Sequence, residues 1–230
     1  FFCFFQGYMM GFSNSLFCSY LDWFHNFNCS LLLGVLVFVS LMIFFLIFNF
    51  YYFKSSKVEY QFGELLCSVF PTLILVFQMV PSLSLLYLGG LMNFDSNLTV
   101  KVIGHQWYWS YEYSDLGFEF DSYMKSLDSL FLGEPRLLEV DNRCVVPCDV
   151  NVRFCITSSD VIHSWALPSF SIKLDAMSGI LSTVSYNFPM VGVFYGQCSE
   201  ICGANHSFMP IALEVTLLEN FKNWCMSFYF

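Results

Sequence analysis

Positive charge is scarce in this sequence of 230 residues: nine lysines and arginines stand against eighteen aspartates and glutamates. A chain with a formal net charge of −9 offers no basic face to a polyanion, so nucleic acid is not an expected partner. No lysine or arginine precedes Lys54, which argues against a basic targeting peptide. Phe1 to Leu21 is apolar but interrupted by Gln6, Gly7, Gly11, Ser13 and Asn14, and it has neither the layout of a cleavable signal nor that of an arginine-rich transit peptide. Histidine is rare as well, four in all, so a site that needs imidazole has few candidates. Internal repeats and low-complexity linkers are absent. The ten cysteines show no spacing of a disulfide framework, and Cys3, Cys18, Cys29, Cys67, Cys155 and Cys225 lie in or near apolar stretches.

Two long stretches lack charge of either sign. Cys29 to Phe53 is a run of 25 residues and Leu65 to Met92 one of 28, where about 20 apolar residues span a bilayer as helix. The first is apolar on every face, unlike a core helix with one buried stripe. The second contains Pro71, Gln78 and Pro81, and membrane helices tolerate proline because neighbouring groups re-satisfy the freed backbone, so a kink is expected rather than a break. A two-helix hairpin over 29–92 follows, preceded by an N-terminal segment 1–28. Lys54 and Lys57 between the spans place that connection on the side of synthesis and both termini across the membrane.

Residues 93–230 hold fifteen of the acids and seven of the bases, 7 − 15 = −8 of the total charge. Here the pattern turns to period two. Asn151 to Ile156, Ile180 to Tyr186, Val191 to Tyr195 and Ile211 to Leu217 alternate apolar with polar residues between Gly, Pro, Asp and Asn, which predicts a Greek-key sandwich or barrel. Leu217, Leu218, Phe221, Trp224 and Cys225 recur at helical spacing and predict a short terminal helix packed on that domain.

Chemistry concentrates in Gly196 to Pro210, which contains Cys198, Cys202, His206 and Met209. Thiolate and thioether favour copper, and imidazole suits copper, zinc or iron, so Cys-x3-Cys-x3-His-x2-Met points first to copper. A Cys2His2 zinc site and a Cys198–Cys202 disulfide are alternatives, though the disulfide leaves His206 and Met209 unexplained. A mononuclear blue-copper centre uses one thiolate, and this string has one more. Two thiolates bridging two coppers would give each metal two sulfurs and one imidazole, if a second histidine comes from elsewhere. His25 precedes a membrane span and His105 sits in another motif, so His163 is the candidate. Soft-ligated copper in a folded cavity suits one-electron transfer, whereas hydrolysis asks for a hard metal with an open position.

Three ordered motifs, Gly104-His105-Gln106-Trp107-Tyr108-Trp109-Ser110-Tyr111-Glu112-Tyr113, Asp160 to Trp165 and Tyr195 to Pro210, are similar to signatures of cytochrome c oxidase subunit II. The chain resembles that family over most of its length. The resemblance implies a membrane-anchored, cupredoxin-like domain with a binuclear copper centre ligated by His163, Cys198, Cys202, His206, Met209 and the backbone carbonyl of Glu200. It implies electrons taken from cytochrome c, with Trp107 as the point of uptake, and passed to the haem-bearing subunit I for oxygen reduction coupled to proton pumping. It also implies a magnesium ion shared with subunit I through the Glu200 carboxylate, and Glu64 at the mouth of a proton-uptake path. Other oxidase subunits and membrane lipids are the remaining partners, in the mitochondrial inner membrane with the C-terminal domain in the intermembrane space.

An acidic domain suits a basic electron donor, and Glu112, Asp115, Glu119 and Asp160, near the aromatic motif or His163, are the docking candidates. Each is equally readable as a solvated surface charge, and Trp107, Tyr108 and Trp109 as interfacial anchors or packing. The chain departs from the family at Ser159, where a second acid is frequent, at Ile180, where Arg is common, and at Cys144 and Cys148, read as small buried hydrophobes. A membrane-tethered copper chaperone or a mononuclear blue-copper protein is the competing function. A quinol-oxidase relative would share the fold but lack the two thiols.

Overall fold

The computed structural model describes residues 15–49, 59–91 and 95–229. Lys54 and Lys57, on which the orientation rests, lie outside the described residues, as do Cys3, most of the segment preceding the first helix, and Met92 at the end of the second apolar run. The chain divides into two compact units, one of residues 20–90 and one of residues 91–230 with 1–19.

In the helical unit, α1 (Leu16–Asn49) has 34 residues and α2 (Gln61–Gly90) has 30. At 1.5 Å per residue, α1 is about 50 Å long, more than the roughly 30 Å of hydrocarbon it must cross. It begins well ahead of Cys29, because Ser15 accepts the Cys18 N–H on its Oγ at 3.1 Å and caps the first turn. The expected separate segment 1–28 therefore ends in helix. α2 continues unbroken through Pro71 and Pro81. The two helices meet where Gln78 donates to Asn28 at 3.0 Å and the rings of Phe27 and Phe77 lie 5.8 Å apart. Their most apolar stretches have mean hydropathies of 3.1 and 1.9 and no buried residue, so these side chains need an apolar surrounding.

The other unit is a β-domain. Its strands are β1 (Leu98–His105), β2 (Tyr108–Tyr113), β3 (Phe118–Ser122), β4 (Cys144–Pro147), β5 (Asn151–Ser158), β6 (His163–Leu167), β7 (Ile172–Ala176), β8 (Ser182–Asn187), β9 (Gly192–Gln197) and β10 (Pro210–Thr216). They form a five-stranded sheet in the order β3-β2-β1-β5-β8, a three-stranded sheet β4-β10-β9, and the β6-β7 pair. β1 with β5 and β4 with β10 run parallel, and the remaining pairs are antiparallel. The alternation on β1 buries Leu98, Val100 and Val102 in one core with Phe154, Ile156, Trp165, Leu167, Ile211 and Leu213. Each predicted strand segment falls in a strand, within a residue or two of its expected limits.

Helix α3 (Leu218–Met226) buries Phe221 and Cys225 and sets Trp224 edge-on to Tyr113 and Phe118, with centroids 5.4 and 5.5 Å away. Leu217 and Leu218 stay exposed, contrary to the periodicity, because they form its entrance rather than its packed face. Cys144 is buried and Cys148 half-buried at the two ends of β4, and both are free thiols.

A charge network clamps the strands that flank the site. Glu139, only 1% exposed, takes Arg143 in a two-pronged ion pair at 2.9 Å on each oxygen and accepts Tyr195 of β9 at 2.6 Å. Arg143 also reaches Glu214 of β10 at 3.2 Å. Burial pushes the Glu139 carboxyl up, but the hydrogen bonds from Arg143 and Tyr195 outweigh it and hold it below the ordinary 4.5. With a folded value below the unfolded one, this contribution is full above about pH 5 and fades as pH falls through the folded value. Arg143→Met leaves a buried carboxylate unpaired and is expected to cost about 3–5 kcal/mol in denaturant unfolding, with Glu139→Gln/Arg143→Met recovering part of it. An effect below about 1 kcal/mol would show that the pair behaves as a surface bridge.

Candidate metal centre

β9 and β10 pair from Gln197 opposite Pro210, so residues 198–209 form a loop whose two ends, Cys198 and Met209, are neighbours. β6 lies against β9 because Gly196 has no side chain: a Cβ there would stand 1.8 Å from the Ala166 carbonyl oxygen. The Ser199 N–H then donates to the Ser164 carbonyl at 3.0 Å, tying the loop to β6 one residue past His163.

This brings the donors together. Cys198 Sγ lies 3.9 Å from His163 Nδ1 and 3.4 Å from the Glu200 carbonyl oxygen. Cys202 Sγ lies 3.4 Å from His206 Nδ1 and 3.6 Å from Met209 Sδ. One ligand atom each from His163, Cys198 and Cys202 falls within 4.8 Å of the others, and this is the only such group among the described residues. Cys198, Cys202, Met209 and His163 are all buried. Burial and the neighbouring Cys198 push the Cys202 thiol up to about 12, so a bound cation is what would hold this sulfur as a thiolate at neutral pH. Two thiols, two imidazole nitrogens, a thioether and a carbonyl form a soft donor set that fits copper. The free state of both cysteines and the convergence of Met209 on Cys202 disfavour the disulfide and a four-ligand zinc site respectively.

His163 is aimed by Asp160. Its Nε2 meets Asp160 Oδ1 at 2.8 Å, which leaves Nδ1 to face the thiols. Its ring lies over Gly104, where a Cβ would stand 2.8 Å from Cδ2, and edge-on to Trp109 with centroids 5.9 Å apart. Asp160 also accepts the backbone N–H groups of Gln106 and Val161, at 2.8 and 2.6 Å. Burial raises the Asp160 carboxyl, but these hydrogen bonds outweigh it and keep it below its ordinary value. Asp160 thus orients His163, while its side chain stays 32% exposed.

Gln106 and Trp107 form the tip of the β1–β2 hairpin and touch the same loop. Gln106 Nε2 donates to the Cys202 carbonyl at 2.7 Å, and a Cβ on Gly203 would stand 3.1 Å from Trp107 Cζ2. Gly203 has φ +126°, open to glycine alone, and so lets the indole lie on the loop beside Cys202. Of the proposed docking acids, Asp160 touches this tip and the other three lie elsewhere. Glu112 faces Glu119 across the β2–β3 hairpin and pairs with Lys101 at 2.7 Å, while Asp115 accepts the Thr99 N–H. Four residues of strand separate Glu112 from Tyr108, about 13 Å. Beside Asp160, further acids at the Trp107 end are Asp121, which accepts Ser110 Oγ at 2.6 Å, and Asp141, which accepts the Tyr123 N–H at 2.7 Å. Neither was read from the sequence. Glu200 keeps an exposed side chain, and Glu64 sits in the first turn of α2.

Comparison with known proteins agrees with this arrangement. Residues 98–216 match the family described as cytochrome c oxidase subunit II, periplasmic domain, and residues 6–85 its transmembrane domain. The chain is similar to cytochrome c oxidase subunit 2 of Caenorhabditis elegans, 81% identical over 223 residues that cover 96% of each chain. It is 80% identical over 224 residues to that of Ascaris suum, covering 97% of each. The crystal structure of the periplasmic domain of subunit II of cytochrome oxidase of Bradyrhizobium japonicum matches with a TM-score of 0.55 and 47% identity, covering 59% of this chain and 96% of that one.

Replacing Asp160 by Asn should release the His163 ring without removing a ligand. Copper affinity is expected to fall about 10–100-fold, read by competition with a chelator, with folding retained. Undiminished affinity would show that packing on Gly104 and Trp109 suffices to aim the ring.

Proposed function

The chain belongs to the cytochrome c oxidase subunit II family, and from that membership we propose the ligand set and electron path of its copper centre. It is a membrane-anchored electron-transfer subunit of an oxidoreductase complex, with a cupredoxin-like domain, copper as the metal the family implies, and other oxidase subunits as partners. Our proposal is a binuclear centre held by His163, Cys198, the Glu200 carbonyl, Cys202, His206 and Met209. The observation that carries it is the convergence of these donors, with each thiol next to one imidazole nitrogen and one further donor.

Copper so ligated supplies a one-electron couple. This chain's residues keep water from it, since His163, Cys198, Cys202 and Met209 are buried, and fix the donors on strand ends, so little rearrangement accompanies a change of charge. Trp107, packed on Gly203, is the proposed point of uptake from reduced cytochrome c. The acids that support docking of that basic protein are Asp121 and Asp141, beside Tyr108 and Tyr123; Asp115 and Glu119 extend the negative field along the hairpin, where Glu112 is paired with Lys101. The exposed carboxylate of Glu200 is the proposed contribution to a magnesium ion shared with subunit I, which receives the electron. Glu64 at the start of α2 remains the proposed mouth of a proton path. We place the chain in the mitochondrial inner membrane, with the β-domain in the intermembrane space.

Copper stoichiometry with electron spin resonance on the detergent-solubilised chain tests the centre. Two coppers with one unpaired electron shared over both nuclei are expected. One copper with an ordinary mononuclear signal, or preferential zinc, would return the site to a blue-copper or structural role. Trp107→Phe should keep copper and slow reduction by cytochrome c; an undiminished rate removes Trp107 from the path, and no fast salt-sensitive reaction in either protein would favour a copper-handling function.

A further inference from the structure

The tip that carries Trp107 is only two residues long, and the pair that closes it is aromatic. His105 and Tyr108 face each other across β1 and β2, with ring centroids 4.5 Å apart and planes 4° from parallel. Tyr108 stacks in turn on Tyr123 at 4.5 Å and 22°. From the other side His105 Nδ1 lies 2.7 Å from Ser159 Oγ, and the Ser159 N–H donates to the Gly104 carbonyl at 3.1 Å. His105 is therefore wedged between a stack and a hydrogen bond.

The indole of Trp107 has no comparable hold of its own. Its Nε1 is buried and meets no hydrogen-bond acceptor among the described residues, so no polar contact of the ring fixes where it lies on Gly203. Its position follows from the backbone of the tip. That backbone is pinned at one end by Gln106, through Cys202 and Asp160, and at the other by the closing pair. Cross-strand aromatic pairs stabilise a hairpin locally, and a two-residue tip transmits any loosening of its closing pair directly to the residues it presents.

We infer that His105 is a positioning residue for electron uptake: by stacking on Tyr108 and bonding Ser159, it holds the hairpin tip so that Trp107 stays against the metal loop. This rests on Trp107 being the point of uptake. It also gives a use to Ser159, whose hydroxyl meets the ring from the side opposite the stack. His105 donates no atom to the proposed copper ligand set, so its loss should be separable from loss of metal.

The test uses the assembled oxidase with His105→Ala, His105→Phe and Trp107→Phe, and amide hydrogen exchange on the copper-free chain. For His105→Ala, exchange at Gln106 and Trp107 is expected to accelerate about fivefold. Reduction of copper within the cytochrome complex should slow by about threefold or more, with KM within about twofold and the spin-resonance signal unchanged. His105→Phe retains a stacking face and should restore exchange and rate to within about twofold. If His105→Ala fails to retain copper, His105→Leu, which has bulk without a π-face, is judged by the same readings. Normal exchange and rate in His105→Ala, or no rescue by Phe, overturns the inference. A Trp107→Phe protein with an undiminished rate instead overturns the reading of Trp107 and the inference with it; a slow Trp107→Phe beside a normal His105→Ala overturns the inference alone.

Discussion

Two thiol sulfurs held within 4.8 Å of one imidazole nitrogen in a protein interior make a demand on everything around them. As thiolates they repel, and burial raises the cost of charging either, which is why the Cys202 thiol stands as high as about 12 without a cation. A metal relieves both penalties only if the donors are already where it needs them. The frame supplies that through three glycines: Gly196 against the Ala166 carbonyl and Gly104 beneath the His163 ring, where a Cβ would clash, and Gly203 beneath Trp107, where φ is +126°. Each glycine lets one further element approach the loop, and together they bring β6, the β1–β2 tip and the β9–β10 stem to one place.

The same frame bears on electron transfer. A centre that changes charge by one unit without moving its ligands pays little in reorganisation, and His163 is fixed on three sides by Asp160, Gly104 and Trp109. The stem of the ligand loop is anchored lower down, where Tyr195 and Glu214 enter the Glu139–Arg143 network from adjacent strands. A buried carboxylate with bidentate pairing is costly to build and to break, so it resists sliding of β9 against β10. The metal loop sits on a stem braced by one arginine that holds carboxylates on both sides of it.

Much of this was legible because the ligands are local. Four donors fall in twelve consecutive residues, so their chemistry could be read before any fold was known, and scarcity of histidine left His163 as the remaining one. The strands were legible from alternation and the membrane helices from apolar length. What escaped depends on geometry between segments. The start of α1 at Leu16 is set by the Ser15 cap, outside the apolar run that marks the bilayer. Glu112, Asp115 and Glu119 are near Trp107 in sequence, but β2 carries them away at about 3.3 Å per residue, while antiparallel β3 returns Asp121 towards Trp107. The bond from Asp160 to His163 was not read, because nothing in a single sequence says that one oxygen of an exposed carboxylate turns to an imidazole three residues on.

The acid distribution separates two electrostatic roles that composition alone merges. Of the acids in the β-domain, Glu139 pairs with Arg143 and Glu112 with Lys101, so the formal charge overstates what an approaching partner meets. Asp121 and Asp141 are bound by a hydroxyl and by backbone N–H groups, which orient a carboxylate without neutralising it. A carboxylate that is fixed and still charged attracts a basic protein at no further ordering cost, and it stands beside exposed Tyr123 rather than over the buried metal. On the proposed path, field and electron route draw on different residues at the same end of one hairpin, so changes in donor affinity and in transfer rate would arise independently.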